Sequence, residues 1–141
     1  MTIGDALARA TARLAEAGVD SARLESELLL ARACDDCARA LLYAELDREM
    51  NDEQLDAFEA NLSRREKREP LAYILGEWGF RRLTLKTDRR ALIPRPETEI
   101  VVERALEHVR GIDAPEVLDV GTGTGAIALA IADELPTARV T

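Results

Sequence analysis

The sequence predicts an α+β chain: an all-helical N-terminal bundle over residues 1–75, a β-hairpin connector over 76–95, and the opening of an α/β domain over 96–141. Three observations predict it. Apolar residues recur at helical spacing, with capping residues between the runs, as far as residue 75. Between Gly76 and Thr87 the period changes to near alternation. An apolar strand, Val117 to Val120, then runs into three alternate glycines and straight into an apolar helix, Ala126 to Leu135.

The helices follow in order. Thr2, with Asp5 three residues on, has the spacing of a capping box. Ile3, Leu7, Ala10 and Leu14 then lie on one helical face, and Gly18 suits the C-terminal cap. Asp20 or Ser21 is placed to cap a second helix whose face carries Leu24, Leu28 and Ala31, widened by Leu29 and Leu30. A third, shorter helix is expected over about Cys37 to Ala44. Asn51 and Gln54 can start a fourth, lined by Leu55, Phe58 and Leu62. Pro70 ends it, and Leu71 to Leu75 make one more turn before Gly76.

Gly76-Glu-Trp-Gly-Phe80, then Leu83, Leu85 and Thr87, read as strands, with Asp88-Arg-Arg90 as a turn. Pro94 and Pro96 hold Leu92-Ile-Pro-Arg-Pro-Glu-Thr-Glu99 extended, and proline suits a first helical turn. Glu97 and Glu99 lie at the positive end of the next helix. That helix is expected to bury Val101, Val102, Ala105, Leu106 and Val109 and to stop near Gly111. No internal repeat or low-complexity stretch is present.

Composition narrows the function classes. A length of 141 residues, 47% of them hydrophobic and 33% charged, suits one globular domain or two small ones. The net charge of −8 argues against a general nucleic-acid binder. Met1 to Ala15 is amphipathic and acidic at Asp5, unlike a secretory leader, and no stretch approaches membrane-spanning length. The expectation is a cytoplasmic protein without membrane attachment. Cys34-Asp-Asp-Cys37 lacks the further ligands of a zinc site and the βαβ context of a redox motif, so ordinary reduced thiols are expected. Arg64-Arg-Glu-Lys-Arg68 reads as a basic helix end favourable to the helix dipole, or as a grip on a partner.

The chemistry sits in Asp119-Val-Gly-Thr-Gly-Thr-Gly125. Gly121 lets the chain turn out of the strand, Gly123 lets backbone approach a ligand, and Gly125 opens the helix close to the sheet. A helix N-terminus there offers unpaired N–H groups to polar ligand atoms. Two cofactor classes fit. Gly121, Gly123 and Ala126 satisfy a dinucleotide pattern. Asp119 two positions before the first of three alternate glycines satisfies a methyl-donor pattern. An acid there can accept from the cationic amino-acid end of S-adenosylmethionine and would repel a pyrophosphate, so the methyl donor is favoured. The cofactor-binding candidates are Asp119, Gly121, Thr122, Gly123, Thr124 and Gly125.

Three segments together resemble the HemK/PrmC family, methyltransferases of the glutamine in the Gly-Gly-Gln motif of peptide-chain release factors. They are Pro70-Leu-Ala-Tyr-Ile-Leu-Gly76 followed by Phe80, Leu92-Ile-Pro-Arg-Pro-Glu-Thr-Glu99, and Leu118-Asp-Val-Gly-Thr-Gly-Thr-Gly-Ala-Ile-Ala-Leu-Ala130. The resemblance spans nearly the whole chain. It implies a Rossmann-like methyltransferase domain opening at residue 96, S-adenosyl-L-methionine as cofactor, release factors as protein substrate, and a helical domain that recognises them. It also places Arg95, Glu97 and Glu99 near cofactor or substrate, although the residues alone read equally as a rigid linker and a helix start. Trp78 and Phe80 are read as core packing of the connector ahead of a cofactor wall.

The family's acceptor motif, Asn-Pro-Pro-Tyr, is absent from these residues. No catalytic residue is therefore assigned, and the 141-residue chain is expected to be an incomplete portion, inactive alone. It is also expected to be well folded to about residue 95, and loose or paired with another copy beyond it. A non-enzymatic helical interaction module and an amino-methyltransferase acting on nucleic acid remain the alternatives at this point.

Overall fold

The computed structural model describes residues 1–35 and 37–141; Asp36, in the Cys-Asp-Asp-Cys run, lies outside the described residues. The chain divides into two compact units, Met1–Leu75 and Gly76–Thr141.

The first unit is helical: α1 (Ile3–Glu16), α2 (Ala22–Ala33), α3 (Arg39–Ala44), α4 (Asp52–Glu66) and α5 (Leu71–Leu75). Local chemistry sets two of the starts. Thr2 Oγ1 accepts the Asp5 N–H at 3.1 Å while the Asp5 carboxylate accepts the Thr2 N–H at 3.4 Å. Asn51 and Gln54 do the same for α4, at 2.8 and 3.3 Å. Each box satisfies two N–H groups that the first turn leaves unpaired. At the other end of α1 the Val19 N–H returns to the Leu14 carbonyl at 2.9 Å and that of Gly18 to Ala15 at 3.0 Å.

Ile3, Leu7, Ala10 and Leu14 of α1 are buried, as are Phe58 and Leu62 of α4. In α2 the buried set differs from the expected one. Leu29 and Leu30 are fully buried beside Ala22, Ser26 and Ala33, whereas Leu24 is exposed and Leu28 only half-buried. Helix α2 packs against α1, α3, α4 and α5. A helix covered on several sides has no single apolar stripe to read. The third helix starts at Arg39, later than expected. Ion pairs tie the bundle across elements. Arg13 of α1 binds Glu59 and Glu66 of α4, each at 2.7 Å, and Arg65 of α4 binds Glu25 of α2. The buried Glu27 of α2 accepts from Tyr43 and, at 2.7 Å, from Arg39, both on α3.

The second unit comprises β1 (Glu77–Phe80), β2 (Leu83–Lys86), α6 (Pro96–Val109), β3 (Glu116–Val117), α7 (Ala126–Glu134) and β4 (Arg139–Val140). Strands β1 and β2 form an antiparallel hairpin in which Trp78 faces Leu85 and Phe80 faces Leu83. Strands β3 and β4 are parallel, Val117 opposite Val140, and α7 is the crossover between them. A single core serves hairpin and α/β segment alike: Phe80, Leu85, Val102, Leu106, Ala126, Ala130 and Ile131, with Val117 and Val140 against it. Phe80 is therefore a core residue.

Two expectations change here. Val101 is exposed, because α6 turns only Val102 and Leu106 fully inward. The strand predicted over Val117–Val120 is regular only at Glu116–Val117. Its pairing continues through the Asp119 N–H, which donates to the Thr141 carbonyl at 2.7 Å. Val117 and Asp119 face α7, while Leu118 and Val120, pointing the other way, are 71% and 84% exposed.

Candidate functional site

The glycine run leaves β3 and enters α7 through three residues of positive φ: Gly121 at 79°, Gly123 at 59° and Gly125 at 79°. An L side chain is strained in that region. Packing does not explain the first two. A Cβ on Gly121 would meet nothing within 4 Å, and one on Gly123 only the Gly121 carbonyl oxygen at 3.9 Å. Open space thus lies beside the Cα atoms of Gly121 and Gly123. At Gly125 a Cβ would come within 3.2 Å of Leu129 Cδ1, so this glycine does serve packing. The loop closes on itself through the Gly125 N–H, 2.8 Å from the Thr122 carbonyl.

Asp119 holds the loop to its helix. Its Oδ2 accepts the Ala128 N–H at 3.2 Å. Ala128 is the third residue of α7, so a carboxylate from the preceding strand does the work of an N-cap side chain, a position that Gly125 leaves unfilled. The negative charge sits at the positive end of the helix. Among the described residues nothing donates to Oδ1.

The second wall comes from the extended Leu92–Arg95 segment. Leu92, Ile93, Pro94, Arg95 and Thr98 line one open pocket of about 180 Å³ with Gly121–Thr124, Ala126 and Ile127. Pro96 starts α6, as the two prolines predict, with Arg95 as its N-cap residue. The Arg95 side chain is exposed, and among the described residues its guanidinium has no hydrogen-bond or ion-pair partner. Arg95 thus stands at the glycine loop. Glu97 and Glu99 do not line this pocket: Glu97 borders a shallow face of α6 with Ile100 and Arg104, and Glu99 is engaged by Arg81 of the hairpin turn.

The remaining candidates are accounted for locally. Burial pushes the thiols of Cys34 and Cys37 up, which disfavours the thiolate that exchange or metal binding needs. Among the described residues no three His, Cys, Asp or Glu gather as metal ligands. Arg64 pairs with Glu69, Arg65 with Glu25, and Arg68 donates to the Gly18 carbonyl at 2.5 Å, so these arginines are turned to their own unit. His108 is exposed, its Nδ1 2.8 Å from the Arg104 carbonyl. No helix among the described residues is long and apolar enough to cross a membrane.

The family model of the PrmC N-terminal domain matches residues 5–76, half of the chain. The chain belongs to the HemK/PrmC family. Its relatives extend the likeness beyond the helical unit. A release factor glutamine methyltransferase of Vibrio cholerae is 47% identical over 141 residues, all of this chain and 49% of the relative. One of Geobacter sulfurreducens is 47% identical over 127 residues, 90% of this chain and 44% of the relative. One of Deinococcus radiodurans is 43% identical over 143 residues, again the whole chain and 50% of the relative. This HemK/PrmC chain spans about half the length of the curated relatives it matches.

Three features in or beside the pocket of this HemK/PrmC chain were not readable locally. They are the cap that Asp119 provides nine residues ahead, the part of Thr98 and Ile127 in the walls, and the Arg81 contact to Glu99. The first had a faint signal, since Gly125 supplies no side chain to cap α7. The last joins residues 18 apart through a turn whose conformation nothing in the sequence announces.

Proposed function

We propose that these residues carry the cofactor-binding part of an S-adenosylmethionine-dependent methyltransferase acting on the glutamine amide of the Gly-Gly-Gln motif in release factors. One observation carries the reading. Parts of two of the three segments that carry the family resemblance, Leu92–Arg95 and Gly121–Thr124, are about 25 residues apart in sequence and line the same pocket.

The residues fit the group. Gly121 and Gly123 leave open backbone where side chains would stand. The free Oδ1 of Asp119 suits an ammonium, and the unpaired guanidinium of Arg95 suits a carboxylate, the two ends of the cofactor's amino-acid part. When bound, S-adenosylmethionine supplies a methyl group on a sulfonium. This chain's contribution is to bind and orient. The loop N–H groups at the start of α7 would hold polar atoms, and Leu92, Ile93 and Ile127 offer an apolar wall. An amide nitrogen is a poor nucleophile, so positioning and electrostatics must supply most of the rate. The acceptor-binding Asn-Pro-Pro-Tyr motif is not among the 141 residues, so the part assigned to these residues is cofactor binding and no acceptor-binding residue is named. The helical unit is assigned to release-factor recognition and the setting to the cytoplasm, both on the strength of the family.

Calorimetric titration of the purified chain with S-adenosylmethionine tests the cofactor reading. Binding with a Kd below about 1 mM supports it. Absence of binding at that level rejects the pocket as a sufficient cofactor site.

A further inference from the structure

Resting on the cofactor reading above, we propose that Arg81, in the β1–β2 turn, is a positioning residue for the glycine-loop pocket. It locks the start of α6 to the end of α7 and so holds the Leu92–Arg95 wall over the Gly121–Thr124 loop. The Arg81 N–H donates to Glu99 Oε1 at 2.9 Å, and its Nη1 to the Glu99 carbonyl at 3.1 Å. Its Nη2 donates to Glu134 Oε2 at 2.8 Å, with Nε on the other oxygen of the same carboxylate. One residue thus grips the first turn of α6 by side chain and main chain, and the last residue of α7 by a two-pronged fork.

Burial and strain single this contact out. The Glu134 side chain is only 5% exposed and that of Arg81 20%. A carboxylate so placed is costly without its partner. Arg81 also has φ 51°, in the left-handed region, where a residue with a Cβ is strained. Such a conformation persists when surrounding contacts over-determine it.

The connection to the pocket is short. Thr98, a pocket residue, adjoins Glu99, and the Leu92–Arg95 wall runs directly into α6. Helix α7 is nine residues long, a rod of about 13 Å, so pinning Glu134 at one end sets the direction of its first turn and the loop before it. Lysine cannot replace this arrangement, because one ammonium cannot fork onto a carboxylate and still reach the Glu99 carbonyl.

The test is Arg81→Lys in the 141-residue chain, beside Leu106→Ala as a control that loosens the same core without touching the pocket. Exchange is read at three amides, one in the pocket wall and two in the turn that carries the glycine loop into α7: Thr98, bonded to the Arg95 carbonyl at 2.9 Å, Gly125, bonded to that of Thr122 at 2.8 Å, and Ala128, bonded to Asp119 at 3.2 Å. At matched distance from each variant's Tm, Arg81→Lys is expected to speed exchange at all three by about tenfold over the control. Amides of residues 1–75 should not move. Unchanged exchange at these amides, or a rise no larger than the control's, overturns the proposal. Should Arg81→Lys fail to fold, Glu134→Gln, which keeps shape and an acceptor, is read at the same amides by the same criterion. Titration with S-adenosylmethionine separates the two readings. A Kd raised about tenfold in Arg81→Lys and not in the control supports both. A wild-type chain that binds no cofactor, yet shows the exchange effect, defeats the cofactor reading alone. Equal binding by wild type and Arg81→Lys defeats the positioning role alone.

Discussion

Asp119 has two oxygens and two tasks. Oδ2 caps α7 through the Ala128 N–H, and in the proposed function Oδ1 would accept from the ligand. The tasks separate by substitution. Asp119→Asn keeps an oxygen acceptor for the helix, so its Tm should stay close to wild type while S-adenosylmethionine binding weakens. Asp119→Ala loses the cap as well and should cost about 1 kcal/mol, read by urea unfolding. Equal cofactor affinity in Asp119→Asn and wild type would remove the carboxylate from the site. The glycines divide similarly. Gly121→Ala meets open space, so its cost should be that of strain, about 1–2 kcal/mol, yet its methyl group fills the cradle and should abolish binding. Gly125→Ala adds a contact at 3.2 Å with Leu129 and should destabilise more than Gly121→Ala. Thermal melts of the pair decide the order.

The elements of the helical unit are secured at their ends and on their inner faces. Thr2→Ala removes the hydroxyl that accepts the Asp5 N–H in the α1 capping box, leaving the Thr2 main-chain N–H to the Asp5 carboxylate, and should cost about 1 kcal/mol, seen in the urea midpoint. Phe58 is the largest fully buried side chain, and Phe58→Ala should cost about 3–5 kcal/mol. Strands β3 and β4 are two residues each, with Leu118 and Val120 exposed beside them. Two-stranded pairings of this kind are marginal in water. Amides of β3 and β4 should therefore exchange well before those of α1, α2 and α4; equal protection across all of them would contradict this.

Across the whole molecule, stability should depend on acid through named carboxylates. Tyr43 first, then Arg39 and Arg23, hold Glu27 below the usual carboxylate value of 4.5; Arg13 does so for Glu66 and Arg81 for Glu134. A lowered folded pKa means that the unfolded chain binds the proton first. The contribution is thus complete above the ordinary glutamate value and is lost as pH falls below it through the folded values. Urea midpoints should be flat down to about pH 5 and then drop, and Glu27→Gln should flatten part of that drop. The division at residue 75 also makes residues 1–75 a fair candidate for a free-standing domain. Expressed alone, they should keep helical circular dichroism and a cooperative melt.

Much of this was local in origin and therefore legible in the sequence. Capping boxes at Thr2 and Asn51, the proline start of α6, the alternation of the hairpin and the strand–glycine–helix run are short-range signals set by backbone hydrogen bonding and sterics. They determined the order of elements, and the three family segments determined kinship. What the tertiary structure decided is which faces are covered and which distant groups meet. Leu24 and Val101 fit a helical stripe and yet stand exposed, because burial depends on where neighbouring helices lie. Arg95 meets the glycine loop, while Glu99 is held by Arg81 and Glu134 by the same guanidinium 53 residues before it. Pairings of that range leave no periodicity or spacing in the chain. They follow only when hairpin, α6 and α7 pack on one core and bring a turn residue within reach of both helices.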